Sequence, residues 1–184
     1  MSGFFGNALG ELGKALALVD PVQIEEACRM IASAPRTGLF GCGREGLMMR
    51  GLAMRLHHCG LDATFVGEMD MPPLGEGDLF FASSGPGDLS TVNALCRKAN
   101  KAGAHAMILT SQAGSPDTSL ADFVLLLPAQ TMASDTGAKA STTLPMGSIF
   151  EGSMFLLFEA MVARIAELRG ETADTMRARH TNME

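Results

Sequence analysis

Apolar residues recur at helical spacing in Phe4, Leu9, Leu12, Ala15, Leu16 and Val19, and Asp20-Pro21 then supplies the N-cap and first-turn proline of a second helix through about Ala32. Two helices therefore precede any strand. The period changes at Thr37 to Gly41, a short apolar strand, after which Gly41-Cys42-Gly43-Arg44-Glu45-Gly46 turns into a helix with Met48, Leu52, Leu56 and Cys59 on one face. Gly60 closes that helix as a C-terminal glycine. Ala63 to Gly67 reads as a second strand, Gly77-Asp78 as a turn, and Leu79 to Ala82 as a third strand entering the loop Ser83-Ser84-Gly85-Pro86-Gly87. A helix from Asp88 to about Lys101 follows, with Val92, Leu95, Cys96 and Ala99 as its stripe and Gly103 at its end. Ala106 to Leu109 is a fourth strand, delivering Thr110 and Ser111. A helical turn near Pro116 to Ala121 leads to a fifth strand, Phe123 to Leu127, stopped by Pro128.

Strands that are apolar throughout and alternate with helices predict an α/β fold, a parallel sheet covered on both faces, in one domain over 1–184. Gln130 to Pro145, rich in Ala, Ser, Thr, Asp and Gly, has no periodicity and reads as a loop long enough to be functional. Ile149 to Leu168 is the longest helix. Phe150, Met154, Leu157, Phe158, Met161, Val162 and Ile165 spread around more than one of its faces, which predicts a subunit interface as well as a core. The tail from Glu171 is polar and helical.

Composition narrows the function classes. A net charge of -6, from 14 basic and 20 acidic residues with no basic cluster, argues against a nucleic-acid partner. No run of roughly 18 apolar residues predicts a membrane span, and no export signal is evident, so the expectation is a cytoplasmic protein. The four cysteines, Cys28, Cys42, Cys59 and Cys96, have no metal-ligand spacing and read as buried thiols in a reducing compartment. No metal site is expected.

In an open parallel sheet, ligands sit at the carboxyl ends of the strands, near the point where strand order reverses. Three loops meet that description: Gly41 to Gly46, Ser83 to Asp88, and Thr110 to Ala113. The second, a small-residue turn between a strand and a helix N-terminus, is by its chemistry an anion cradle. The first has dinucleotide-fingerprint spacing, yet Ala63, Thr64 and Phe65 stand where the ribose-binding acid belongs, so a nicotinamide cofactor is discounted.

The motifs Gly41-Cys42-Gly43-Arg44, Ala53-Met54-Arg55-Leu56, Gly67-Glu68, Gly77-Asp78-Leu79, Ser84-Gly85, Thr110-Ser111, Gly147-Ser148-Ile149-Phe150-Glu151 and Arg179-His180-Thr181-Asn182-Met183-Glu184 occur in this order. Together they resemble the 6-phospho-3-hexuloisomerase branch of the sugar isomerase (SIS) domain family, over Thr37 to the C-terminus. The resemblance implies a three-layer, doubly wound five-stranded parallel sheet of flavodoxin-like order 2-1-3-4-5. It also implies a homodimer or homotetramer with a shared active site, in which N-terminal helices 1–34 and tail 171–184 contact a neighbouring subunit. The implied reaction interconverts 3-hexulose 6-phosphate and fructose 6-phosphate through an enediolate, without a cofactor. Glu151 matches a catalytic carboxylate, and His180 a histidine entering the site from a neighbouring subunit; both are suitable proton carriers. Substrate-binding roles fall on Gly43, Arg44, Ser83, Ser84, Gly85, Asp88, Ser90, Thr110 and Ser111.

Three positions depart from that pattern. Family members carry a serine where Glu45 stands, and hydroxyl-bearing residues where Pro86 and Leu89 stand. Each lost hydrogen bond to a charged group is worth roughly 1.5 to 3 kcal/mol, so these changes bear directly on the phosphate site. Two other readings therefore stay open: an isomerase acting on a substrate without the usual phosphate, and a non-catalytic sugar-phosphate-binding module. Read as structure alone, Glu45 and Asp88 are first-turn helix acids, Arg44 pairs with a nearby carboxylate, and His57-His58 complement a helix C-terminus.

Overall fold

The computed structural model describes residues 3–137, 140, 141 and 143–183. Its centre is a five-stranded, all-parallel sheet of β1 (Thr37–Phe40), β2 (Ala63–Phe65), β3 (Leu79–Ser83), β4 (His105–Thr110) and β5 (Phe123–Leu126), in the order β2-β1-β3-β4-β5. This is the order that the resemblance implied. β3 is central: Phe81 pairs with Leu39 on one side and with Met107 on the other, and all five residues of the strand are buried.

Among the described residues the α-helices are α1 (Phe4–Leu16), α2 (Pro21–Ser33), α3 (Gly43–His58), α4 (Ser90–Ala102), α5 (Ser148–Arg169) and α6 (Ala173–Ala178). Because side chains alternate along a strand, β3 serves both faces. Phe81 joins Leu39, Met107 and Leu109 in a core with Ile31, Met49, Leu52, Phe150 and Met161 from α2, α3 and α5. Phe80 and Ala82 face the other way, onto Val92, Cys96 and Ala99 of α4. Each fully buried Leu, Ile, Met or Phe contributes about 1.5–3 kcal/mol, so this double-sided burial is why the strands read as continuous apolar runs.

Helix ends follow their local chemistry. Asp20 accepts the Val22 N–H at 2.8 Å ahead of Pro21, and Gly103 and Gly170, both left-handed, terminate α4 and α5. Two boundaries differ from expectation. β2 ends at Phe65: the Val66 N–H still reaches the Leu39 carbonyl at 2.8 Å, but Val66 then turns away in an isolated bridge to Glu68. α4 begins at Ser90: Gly87 is left-handed at φ +83° and Leu89 is still extended, so Asp88 lies outside the helix. Its carboxylate accepts from the Asn93 side chain at 3.2 Å instead of serving as a first-turn acid.

The apolar excess on α5 has two destinations. One side fills the core, while Phe155 and Leu156 stay exposed, and Phe155 joins Leu47 and Met54 of α3 in lining an apolar groove. No helix among the described residues is long and apolar enough to cross a membrane. β1 lies between β2 and β3, so the crossovers from β1 and β3 run in opposite directions and their carboxyl ends part to leave a crevice.

Candidate active site

The crevice holds a cavity of about 280 Å³, lined by Cys42, Gly43, Arg44 and Glu45 from the start of α3, Pro86 and Leu89 from the β3–α4 turn, Thr131, Met132 and Ala133, and Glu151 of α5. A tight corner makes this possible. A Cβ on Gly41 would stand 2.9 Å from the Gly46 nitrogen, so only glycine lets β1 turn so abruptly into α3. Arg44 and Glu45 therefore project from the helix's first turn at the mouth of the crevice.

Arg44 is half-exposed and reaches across to the start of α5. Its guanidinium donates to Ser148 Oγ at 2.9 Å and to the Met146 carbonyl, and Nη2 lies 3.2 Å from Glu151 Oε2. Met146 and Gly147 both hold positive φ, +58° and +80°, and this left-handed pair swings the chain into α5. Glu151 thereby enters the cavity from the helix's first turn, with its side chain only 15% exposed. Its Oε2 receives no hydrogen bond from any described residue. Burial raises the Glu151 pKa above the ordinary carboxylate range, Arg44 opposes this, and the charge of Glu45 adds to it.

Glu45 does more than sit at a helix start. Its Oε2 accepts the Ser83 hydroxyl at 2.5 Å and the Gly85 N–H at 3.0 Å, so the carboxylate is seated in the turn after β3. Burial pushes its pKa up, and those two hydrogen bonds partly offset the push. The same turn is held from behind by Asp117, which is fully buried and accepts the Ser84 hydroxyl and, at 3.2 Å, the Leu89 N–H. Gly85 has to be glycine here: a Cβ would lie 2.8 Å from Glu45 Oε1 and 3.1 Å from the Phe150 ring.

Of the residues singled out from sequence, Gly43, Arg44 and Glu151 line the cavity. Ser83, Ser84 and Thr110 are wholly buried in the wall behind it. Thr110 and Ser111 donate to the Gly85 carbonyl, at 3.4 and 2.8 Å, and so brace the turn. Asp88 and Ser90 are exposed at its far side. His180 is elsewhere: its ring stacks on His58, 5.3 Å between centroids, at the opposite end of α3 from Arg44, about 20 Å along the helix. Arg179 fixes this tail by donating to the His58 carbonyl and to Glu171. His58 is buried and its pKa is lowered, first by burial, so it is not the charged helix-end group that its position suggested. Glu184, the last residue of the terminal motif, lies outside the described residues.

Sequence reasoning passed over Asp117, Thr131, Met132 and Ala133, and read Glu45 as a helix-start acid and a departure from the family's serine without giving it a partner. Nothing local marks Asp117, one polar residue in a short helical turn (Asp117–Leu120). Cys28, Cys59 and Cys96 are buried as expected, while Cys42 is half-buried and borders the cavity. Among the described residues no cluster of metal-ligating side chains exists.

A parallel 2-1-3-4-5 sheet with a carboxylate-lined crevice at its switch point is a doubly wound α/β domain, the architecture of the sugar isomerase (SIS) domain proteins that it resembles in structure. A crystal structure from Methanococcus jannaschii, described as inferring a molecular function of 3-hexulose-6-phosphate isomerase, superposes with a TM-score of 0.82. It covers 96% of this chain and 98% of that one, and at 24% identity it speaks to the fold alone. Among curated proteins, the 3-hexulose-6-phosphate isomerase of Bacillus subtilis is 32% identical over 98% of this chain and 97% of its own length. That of Methylomonas aminofaciens is 38% identical over 84% of each. The chain belongs to the 3-hexulose-6-phosphate isomerase family. No family model matches it.

Proposed function

We propose that the chain interconverts 3-hexulose 6-phosphate and fructose 6-phosphate at the Arg44–Glu45–Glu151 cavity, through an enediolate and without a cofactor. The reading rests on family membership and is carried by one observation. Glu151 offers a carboxylate oxygen that has a cationic neighbour but no hydrogen bond from any described residue, inside a cavity of substrate size. A carboxylate so placed, with its pKa raised by burial, is a stronger base than one in water.

In the forward direction Glu151 takes the proton from C2 of the 3-ketose, and the electron pair moves through C2–C3 onto the C3 oxygen. Arg44, on the same side as Glu151, balances the negative charge on the enediolate oxygen. The C2 hydroxyl proton then passes to the C3 oxygen and Glu151 returns its proton to C3, leaving the carbonyl at C2. His180 of a neighbouring subunit serves as the second acid/base group. Its place at the far end of α3, within a tail clamped by Arg179, supports a role outside its own chain's cavity. The exposed apolar groove of Leu47, Met54 and Phe155 supports a dimer or tetramer; tail 171–184 against a neighbour and a cytoplasmic setting belong to the same reading.

The test is proton exchange. With fructose 6-phosphate in deuterium oxide, the protein is expected to place solvent deuterium at the exchanging carbon and to form the 3-ketose. Binding of the sugar without exchange overturns the reading in favour of a sensing module.

A further inference from the structure

The turn after β3 spends its donors inside the protein. The Ser84 N–H goes to the Leu109 carbonyl, the Gly87 N–H to the Ser84 carbonyl, and the Leu89 N–H to Asp117. Pro86 has none to give. Among the turn's other donors the Ser84 hydroxyl also goes to Asp117, while the Ser83 hydroxyl and the Gly85 N–H converge on one oxygen of Glu45, at 2.5 and 3.0 Å. Two donors converging on a single anionic oxygen beside a helix start form a built anion cradle. Of the other carboxylates at this turn, Asp117 is buried behind it and Asp88 is exposed and accepts from Asn93, whereas Glu45 is in the cavity wall.

We propose that Glu45 is the specificity-determining residue of this site: its carboxylate is an internal anion seated in the Ser83–Gly85 cradle, and the phosphoryl group of a sugar phosphate enters that cradle only by displacing it. Phosphate and carboxylate compete for the same two donors and repel each other at close range. The site therefore discriminates against phosphate monoesters more strongly than the same turn with the carboxylate removed. The claim about the cradle stands on the hydrogen bonds alone, and its consequence for turnover rests on the isomerase reading.

The experiment measures sulfate binding calorimetrically, and the KM for fructose 6-phosphate, in the full-length protein and in Glu45→Ala and Glu45→Gln. Sulfate is chosen because its charge is constant across the working pH range. Glu45→Ala frees both donors and is expected to tighten sulfate binding at least about tenfold, equivalent to about 1.4 kcal/mol. Glu45→Gln keeps the side-chain volume, so it guards against misfolding. It retains an acceptor for the two donors while losing the charge, and its gain is expected to be smaller. KM is expected to fall in the same order. Sulfate affinity that is unchanged or weaker in both variants overturns the proposal. So does a fall in kcat with KM and sulfate affinity unaltered, which assigns Glu45 to proton transfer. Tighter sulfate binding with no turnover in any form leaves the cradle assignment standing and removes the isomerase reading.

Discussion

Arg44 and Glu151 meet at the mouth of the cavity with 3.2 Å between Nη2 and Oε2, yet the guanidinium directs its hydrogen bonds to Ser148 and the Met146 carbonyl. Arg44 thus supplies charge to Glu151 without occupying its oxygen. Burial raises the Glu151 pKa and Arg44 lowers it. A base must be ionised, so activity is expected to rise with pH through a limb above the ordinary carboxylate range. In Arg44→Met the limb moves higher still. A pH profile of kcat/KM checks both, and a limb that stays put or moves down in the variant removes Arg44 from this role.

Glu151→Gln keeps shape and size while removing the base. Loss of a positioned general base typically costs 10²- to 10⁴-fold, so exchange at the substrate carbon is expected to drop by about that range. Circular dichroism should show the fold retained. Full activity in this variant would assign the chemistry to another group.

Subunit mixing tests the shared site. Glu151→Gln and His180→Ala should each be inactive alone, since each lacks one proton carrier at every site. Mixed and reassembled, they create some sites with both carriers intact, and activity is expected to return to a fraction of the parent's. If His180→Ala is fully active by itself, the tail plays no chemical part.

Glu45 predicts a stability signature. Its folded-state pKa is raised by burial, so between the unfolded and folded pKa values the folded chain holds a proton that the unfolded chain releases, and above the folded value Glu45 is the anion of the cradle. That contribution is fully present below the unfolded pKa and is lost as pH rises through the folded one. The unfolding midpoint of the parent is therefore expected to fall over that window, and Glu45→Gln to flatten the decline. An identical slope in both, followed by scanning calorimetry, counts against a buried, proton-holding Glu45.

Gly147 is expected to resist substitution. It holds φ +80°, and an added Cβ would lie 2.5 Å from the Met132 nitrogen. The left-handed backbone alone costs a non-glycine residue about 1–2 kcal/mol. Gly147→Ala should lower stability by at least that and displace the 131–133 wall of the cavity, weakening turnover beyond the loss of folded protein. Thermal melts beside initial rates separate the two effects.

The strands and helices were legible because each is written in nearest neighbours: the Phe80–Phe81 alternation, the stripe on α4, the Asp20-Pro21 start of α2. Arg44 and Glu151 were legible as candidates through their motifs. What escaped notice depended on partners distant in sequence. Glu45 has the local credentials of a helix-start acid, and only the folded turn, with Ser83 and Gly85 38 and 40 positions away, gives it another occupation. Asp117 is the same case, reaching back 33 positions to Ser84. His58 reads as a dipole-complementing helix-end group because nothing in its own helix foretells that the tail will cover it. The α4 boundary slipped by two residues since Gly87 looks the same in a turn as in a helix start until its φ is known.

The central position of β3 also sets how the site moves. A strand paired on both sides and buried throughout is among the last elements to exchange its amide protons, and the turn that continues it is bolted to Glu45 and Asp117. The facing wall is less firmly tied among the described residues: Met132 and Ala133 are exposed, and Thr131 and Ser134 bond to each other. The cavity thus has one anchored wall, and adjustment to a ligand is expected on the 131–134 side.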